Sequence, residues 1–189
     1  ETSGTSVSIT EGAAQYNIMG ISADEYPELP SVSGGIPVFI NQGVLQQMVM
    51  QTLFAVAEDE NQKMVHTGLK FELKMNQLRL VGVDGFRLAI RTETIKYDGE
   101  EISFIVPKKT IRELIKIIGS ETDQDVQISV GKRHIIFDVD NYSIISRLLE
   151  GDFLDYNAAI PKTSGTPVLI NTNAALSCIE RTIPDIANS

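Results

Sequence analysis

Three stretches of the chain repeat one pattern at a nearly constant interval. "VFINQGVLQQMVMQTLFAVA" from Val38, "FIVPKKTIRELIKII" from Phe104 and "VLINTNAALSCIERTI" from Val168 each read as a short apolar strand, a break and an amphipathic helix. Ile105 follows Ile40 by 65 positions, and Leu169 follows Ile105 by 64. A long fixed period marks repeated supersecondary units. The chain is therefore expected to be assembled from copies of one unit, each about half a domain.

Between the helices the hydrophobic period changes to two. In "GLKFELK", Leu69, Phe71 and Leu73 alternate with Lys70, Glu72 and Lys74, the pattern of a strand with one buried face. "QLRLVGV" follows a Met75-Asn76 turn, and "RLAIRTETI" follows Asp84-Gly85. In the second unit "DVQISVG", "RHIIFDVD" and "YSIISRL" give three more strands, joined at Gly131-Lys132 and Asp140-Asn141. Each unit is then a strand, a helix and three strands. Short connections favour antiparallel pairing, so the expected fold class is α+β, with two sheets and two helices laid on one side.

Two proline- and glycine-bearing linkers, Ala23–Pro37 and Ala158–Pro167, suggest boundaries. The expected organisation is a final hairpin and linker of a preceding domain over 1–30, a complete middle domain over 31–162, and the start of a third over 163–189. The opening Glu1–Ser6 reads as the start of an excised piece rather than a native beginning.

Charge is distributed unevenly. The chain has 25 acidic and 16 basic residues, a formal net charge of −9, which argues against a broad positive field for nucleic acid. Any such contact must be local. Ile111, Leu114, Ile115 and Ile118 share one face of the second helix, while Lys109, Arg112 and Lys116 lie on the other with Glu113 as the only acid. Pro107 suits the first helical position and Gly119 the stop. Taken alone, such a cationic face is ordinary solvation.

The sequence offers poor material for catalysis. His66 and His134 are the only histidines, and neither has a metal-ligand partner at helical spacing. Cys178, the only cysteine, excludes an internal disulfide and reads as a packed thiol within a helix. The carboxylates in "AEDEN", "DGEE" and "ETDQD" fall at helix ends and turns where solvation explains them. No glycine-rich phosphate loop or dinucleotide fingerprint occurs. No run of about 18 apolar residues and no leader-like segment is present, which points away from a membrane and to the cytoplasm. The reading is a non-enzyme with no metal or cofactor.

Five segments in order carry a family resemblance: "ISADEYPELP", "TLFAVAEDENQKMVHTGLKFE", "VDGFRLA", "IVPKKTIREL" and "EGDFLDYNAAIPK". With these the chain resembles the bacterial sliding clamp, the beta subunit of the replicative DNA polymerase, along its whole length. The resemblance implies three similar domains, each of two half-domain units, and two subunits closing head to tail into a homodimeric ring around double-stranded DNA. Helices would line the hole. Lys108, Lys109, Arg112 and Lys116 would then face phosphates, with Gln46 and Gln47 a neutral stretch where clamps often carry basic residues.

The resemblance also implies a pocket for short peptide motifs of the polymerase and the clamp loader. The matching positions are Lys63, His66, Val83, Gly85, Phe86, Arg87, Leu88, Leu154, Ala158 and Ala159. Val83 stands where Thr is usual, Phe86 where His is common, Leu154 where Pro is found and Ala158 where Arg is common, which implies a more apolar pocket. With both flanking domains cut, the resemblance implies a monomer for this piece. The competing reading is a non-catalytic β-rich protein-interaction module without a DNA role, which predicts no second equivalent half-domain.

Overall fold

A computed structural model describes residues 1–26, 32, 37–58, 63–120, 122–162 and 165–187. Most of the Ala23–Pro37 linker, the acids Asp59, Glu60 and Glu121, and Thr163-Ser164 of the second linker lie outside the described residues. The chain divides into two compact units, Glu1–Phe153 and Leu154–Ser189.

The first unit begins with β1 (Thr2–Ser3), β2 (Ser6–Glu11) and β3 (Ala14–Met19), an antiparallel sheet in that order. It includes the expected hairpin. The repeat follows. Its first copy runs β4 (Val38–Asn41), α1 (Gln42–Met50), β5 (Gly68–Lys74), β6 (Gln77–Val83) and β7 (Leu88–Thr94). The second copy runs β8 (Ile102–Pro107), α2 (Lys108–Ile117), β9 (Asp125–Val130), β10 (His134–Val139) and β11 (Tyr142–Arg147).

Both units of the repeat use local chemistry that fixes their breaks. Asn41 caps α1 by accepting from the Val44 N–H at 3.1 Å, and its Nδ2 donates to the Thr122 carbonyl at 2.8 Å. Met75 and Asn76 both take positive φ, 45° and 61°, the pair of left-handed residues that a tight hairpin requires. Pro107 sits one residue earlier than the spacing predicts, as the extended cap of a helix that starts at Lys108.

The sheets are not made one per copy. Their orders are β7-β6-β5-β8 and β11-β10-β9-β4, all antiparallel, so each sheet takes its last strand from the other copy. Exchanging the two copies converts one order into the other. Val38 pairs with Ile128 in one sheet and Leu69 with Val106 in the other. The sheets also meet where the Leu149 N–H donates to the Ile105 carbonyl at 2.9 Å. Equivalent halves are what the interaction-module reading does not predict.

The exchanged strands oblige both copies to share one core. Phe71 of β5 stacks on Phe104 of β8 at 5.3 Å and lies 6.3 Å from Phe137 of β10. Leu69, Leu73, Leu78 and Leu80 join Val126, Ile128 and Ile135 around them. Leu45, Met48 and Val49 of α1 and Ile111 and Leu114 of α2 enter the same cluster. Burial of this apolar area is the main stabilising term.

The second unit contains α3 (Tyr156–Ala159), capped by Asp155, and α4 (Thr172–Ala187). Two expectations fail here. Val168–Ile170 forms no strand, since no strand among the described residues pairs with its backbone, and Leu169 is fully exposed. Cys178 is exposed rather than packed, on a helix whose apolar residues Leu176 and Ile179 are themselves exposed.

Candidate nucleic-acid interface and peptide site

The helices α1 and α2 are held by two clasps. Gln42, the first residue of α1, is 1% exposed; its Oε1 accepts from the Gly119 N–H beyond α2 at 2.8 Å, and its Nε2 donates to Asp140 Oδ1 at 3.2 Å. Lys108, the first residue of α2, is 8% exposed; its Nζ donates to the Val56 carbonyl beyond α1 at 2.7 Å and to Glu58 Oε1 at 2.8 Å. The start of each helix is thus tied to the chain beyond the end of the other. The helices therefore lie side by side and antiparallel. Gly43 allows the approach, since a Cβ there would stand 2.6 Å from the Ser120 carbonyl oxygen.

This arrangement corrects one expectation. Lys108 does not face outward with its neighbours, because its ammonium is drawn inward to satisfy the buried Val56 carbonyl. Lys109, Arg112 and Lys116 are exposed on one face of α2, opposite Ile111 and Leu114. Arg112 Nη2 donates to both oxygens of Glu58, at 2.9 and 3.2 Å. Lys116 Nζ donates to both oxygens of Glu113, at 2.8 and 2.9 Å. Lys109 has no ion-pair partner among the described residues. On α1, Gln47 is exposed, whereas Gln46 is half-buried and its Nε2 donates to the Ile118 carbonyl at 3.1 Å.

Sequence reasoning missed Glu58. It lies 50 positions from Lys108, and its only mark is membership of an acidic run after a helix. The hydrogen bond from Lys108, reinforced by the charges of Lys108 and Arg112, holds its carboxyl below the usual carboxylate range.

A second constellation forms around the β6–β7 turn. Asp84 Oδ1 accepts from the Phe86 and Arg87 N–H groups at 3.0 and 2.8 Å, and Oδ2 accepts from Arg87 Nε and Nη2 at 2.8 and 2.6 Å. The Arg87 hydrogen bond, together with those backbone bonds, holds the Asp84 carboxyl low. Gly85 takes φ 87°, and Phe86 is left 95% exposed at the tip of a rigid turn. Val83 is buried and Leu88 half-buried.

Lys63 caps the start of the short 3-10 turn Met64–Thr67, and His66 lies within it. Segment Leu53–Ala57 runs between this turn and the end of β6: the Ala57 N–H donates to the His66 carbonyl, and a Cβ on Gly82 would stand 2.4 Å from the Thr52 carbonyl oxygen. The His66 ring meets Phe153 edge-on at 5.6 Å, and its Nε2 is buried with no hydrogen-bond partner among the described residues. Burial, then the charge of Lys63, pushes the imidazole pKa below its ordinary value. Leu154, Ala158 and Ala159 belong to the second unit, the two alanines on α3. No cluster of three metal-ligating side chains occurs among the described residues.

Comparison with known proteins gives one consistent answer. The model of the DNA polymerase III beta subunit central domain matches residues 39–155. The chain is 30% identical to the beta sliding clamp of Bacillus subtilis over 92% of its own length and 46% of the relative's. It is 33% identical to that of Staphylococcus epidermidis over 92% of its length and 45% of the relative's. The crystal structure of the Bacillus subtilis DNA polymerase sliding clamp superposes with a TM-score of 0.84 at 30% identity, over 94% of this chain and 46% of that one. The chain thus spans about half the length of the curated relatives it matches.

Proposed function

The chain belongs to the bacterial beta sliding clamp family, and on that premise we propose that it works in DNA replication as part of a processivity factor, using α2 to meet duplex DNA. In this reading residues 31–162 are the middle domain of a clamp, 1–30 close the domain before it and 163–189 open the one after it. The whole protein is a homodimeric ring that encircles double-stranded DNA without reading its sequence. It catalyses no reaction; it keeps the replicative polymerase on its template. No helix among the described residues is long and apolar enough to cross a membrane.

The observation that carries this reading is the exposed row Lys109, Arg112 and Lys116 on a helix whose opposite face is locked in the core. Phosphate contacts are equivalent from one nucleotide to the next, so cations on a rigid helix attract a duplex yet let it slide. The neutral Gln46 and Gln47 reduce the number of such contacts. Polymerase and clamp-loader peptides bind at Lys63, His66, Val83, Gly85, Phe86, Arg87 and Leu88; Leu154, Ala158 and Ala159, on the second unit, are the other proposed peptide contacts. The exposed Phe86 suits an apolar anchor of such a peptide.

The test is charge reversal of Lys109, Arg112 and Lys116 to Glu in a complete clamp carrying this segment. Processive synthesis should fall while the melting temperature holds. Unchanged processivity at low salt removes the assigned role of α2.

A further inference from the structure

The cationic face of α2 carries its own opposing charge. Lys108 is committed inward, and Lys116 is engaged by Glu113. Arg112, the cation best shaped for bidentate phosphate recognition, is held through one nitrogen by both oxygens of Glu58. The Arg112 and Glu58 side chains are 52% and 65% exposed, so a phosphate can exchange for the carboxylate at small cost. Glu58 is not free to leave after the exchange. It remains fixed by the Lys108 ammonium, only 10% exposed, for which it is the single carboxylate partner among the described residues. A negative charge then stays beside the phosphate that displaced it.

We propose that Glu58 is a built-in competitor of DNA phosphates for Arg112, and that it sets how weakly α2 grips the duplex. The proposal rests on the reading of α2 as the DNA-facing helix. Its physical consequence is a contact that is continually contested: the phosphate must displace a tethered carboxylate to gain Arg112, and the carboxylate reclaims it when the duplex shifts. The fixed carboxylate also explains why the buried cation and the exposed one are placed one helical turn apart: one acid serves both.

The experiment is fluorescence anisotropy of a labelled duplex with this chain between about 50 and 200 mM salt, the range over which counterion release changes affinity most visibly. Glu58→Gln keeps an oxygen acceptor for Lys108 but abandons the claim on Arg112. It should bind several-fold tighter at the low-salt end, and its log–log salt slope should steepen by about 0.9, one additional phosphate contact. Both gains should vanish in the Arg112→Gln background. An equal gain with and without Arg112 would reduce the effect to net charge and overturn the proposal.

A silent Glu58→Gln beside a weakened Lys109→Gln overturns the proposal alone, leaving α2 as the DNA face. Silence of both Lys109→Gln and Arg112→Gln, or no binding by any variant at low salt, overturns the α2 reading and the proposal with it. Should Glu58→Gln lower the melting temperature, its binding is compared with that of the Glu58→Gln/Arg112→Gln double variant at a temperature where both are fully folded, with the same outcomes decisive.

Discussion

Gln42 and Lys108 occupy corresponding places in the two copies of the repeat, yet one clasp is neutral and the other charged. Gln42 satisfies a half-buried N–H and a carboxylate with the two ends of one amide, and demands nothing further. Lys108 satisfies a buried carbonyl but brings a full charge with it, which burial makes costly without an anion. Glu58 is that anion, and its position places an acid against the outward face of α2. Two copies of one frame thus present different surfaces: neutral glutamines on α1, a contested cationic row on α2. Equivalence of backbone does not carry equivalence of outward chemistry.

The most severe test of the shared frame is Phe71→Ala. Phe71, from the first copy, touches two aromatic rings of the second copy, one in each sheet, so its loss should cost about 3–5 kcal/mol and lower the stability of both sheets in a single urea transition. Two separated transitions would show that the copies are independent, and would break the comparison at its base. A smaller effect separates the clasps. Gln42→Leu leaves the Gly119 N–H without its acceptor and should cost about 1–3 kcal/mol at any salt concentration. Lys108→Met should also destabilise, but by an amount that shrinks as salt rises, since only that clasp contains an ion pair. Urea midpoints at low and high NaCl distinguish them; the same salt dependence for both variants would make the neutral-versus-charged distinction empty.

The smallest effect belongs to His66, which has no counterpart in the second copy's chemistry. Its folded pKa lies below its ordinary value of 6.5, so the unfolded chain takes up the proton first as pH falls. Stability from this group is complete above about 6.5 and declines below it, until the folded imidazole also protonates. Asp84 and Glu58 also have lowered pKa values, but as carboxylates they lose their contributions only in the acid range, as pH falls through those values. His66→Leu should flatten the pH dependence of the urea midpoint just below 6.5. A profile unchanged by that substitution would show that the buried ring does not report on folding.

Much of the frame was legible in the sequence because local rules wrote it. Period two placed Leu69, Phe71 and Leu73 inward, and Asn76 and the Asp140-Asn141 pair marked the hairpins, Asn76 and Asp140 taking the positive φ that Asn and Asp tolerate. The Leu114 and Ile111 face identified the buried side of α2. The site was legible where exposure follows from periodicity, as for Lys109, Arg112 and Lys116. It was not legible where a long-range partner decides, as when the Val56 carbonyl draws Lys108 inward. Val168–Ile170 has the composition of a strand, yet a strand exists only when another pairs with it.

By itself the sequence determined the repeat, the alternation of elements and the two faces of each helix, since these depend on neighbours a few positions away. Tertiary structure alone decided that β4 and β8 change places between sheets, that Glu58 meets Lys108 across 50 positions, and that Asp84 braces the turn presenting Phe86. Those choices depend on which distant groups are left needing partners once the core closes. Chain-local periodicity carries no record of that.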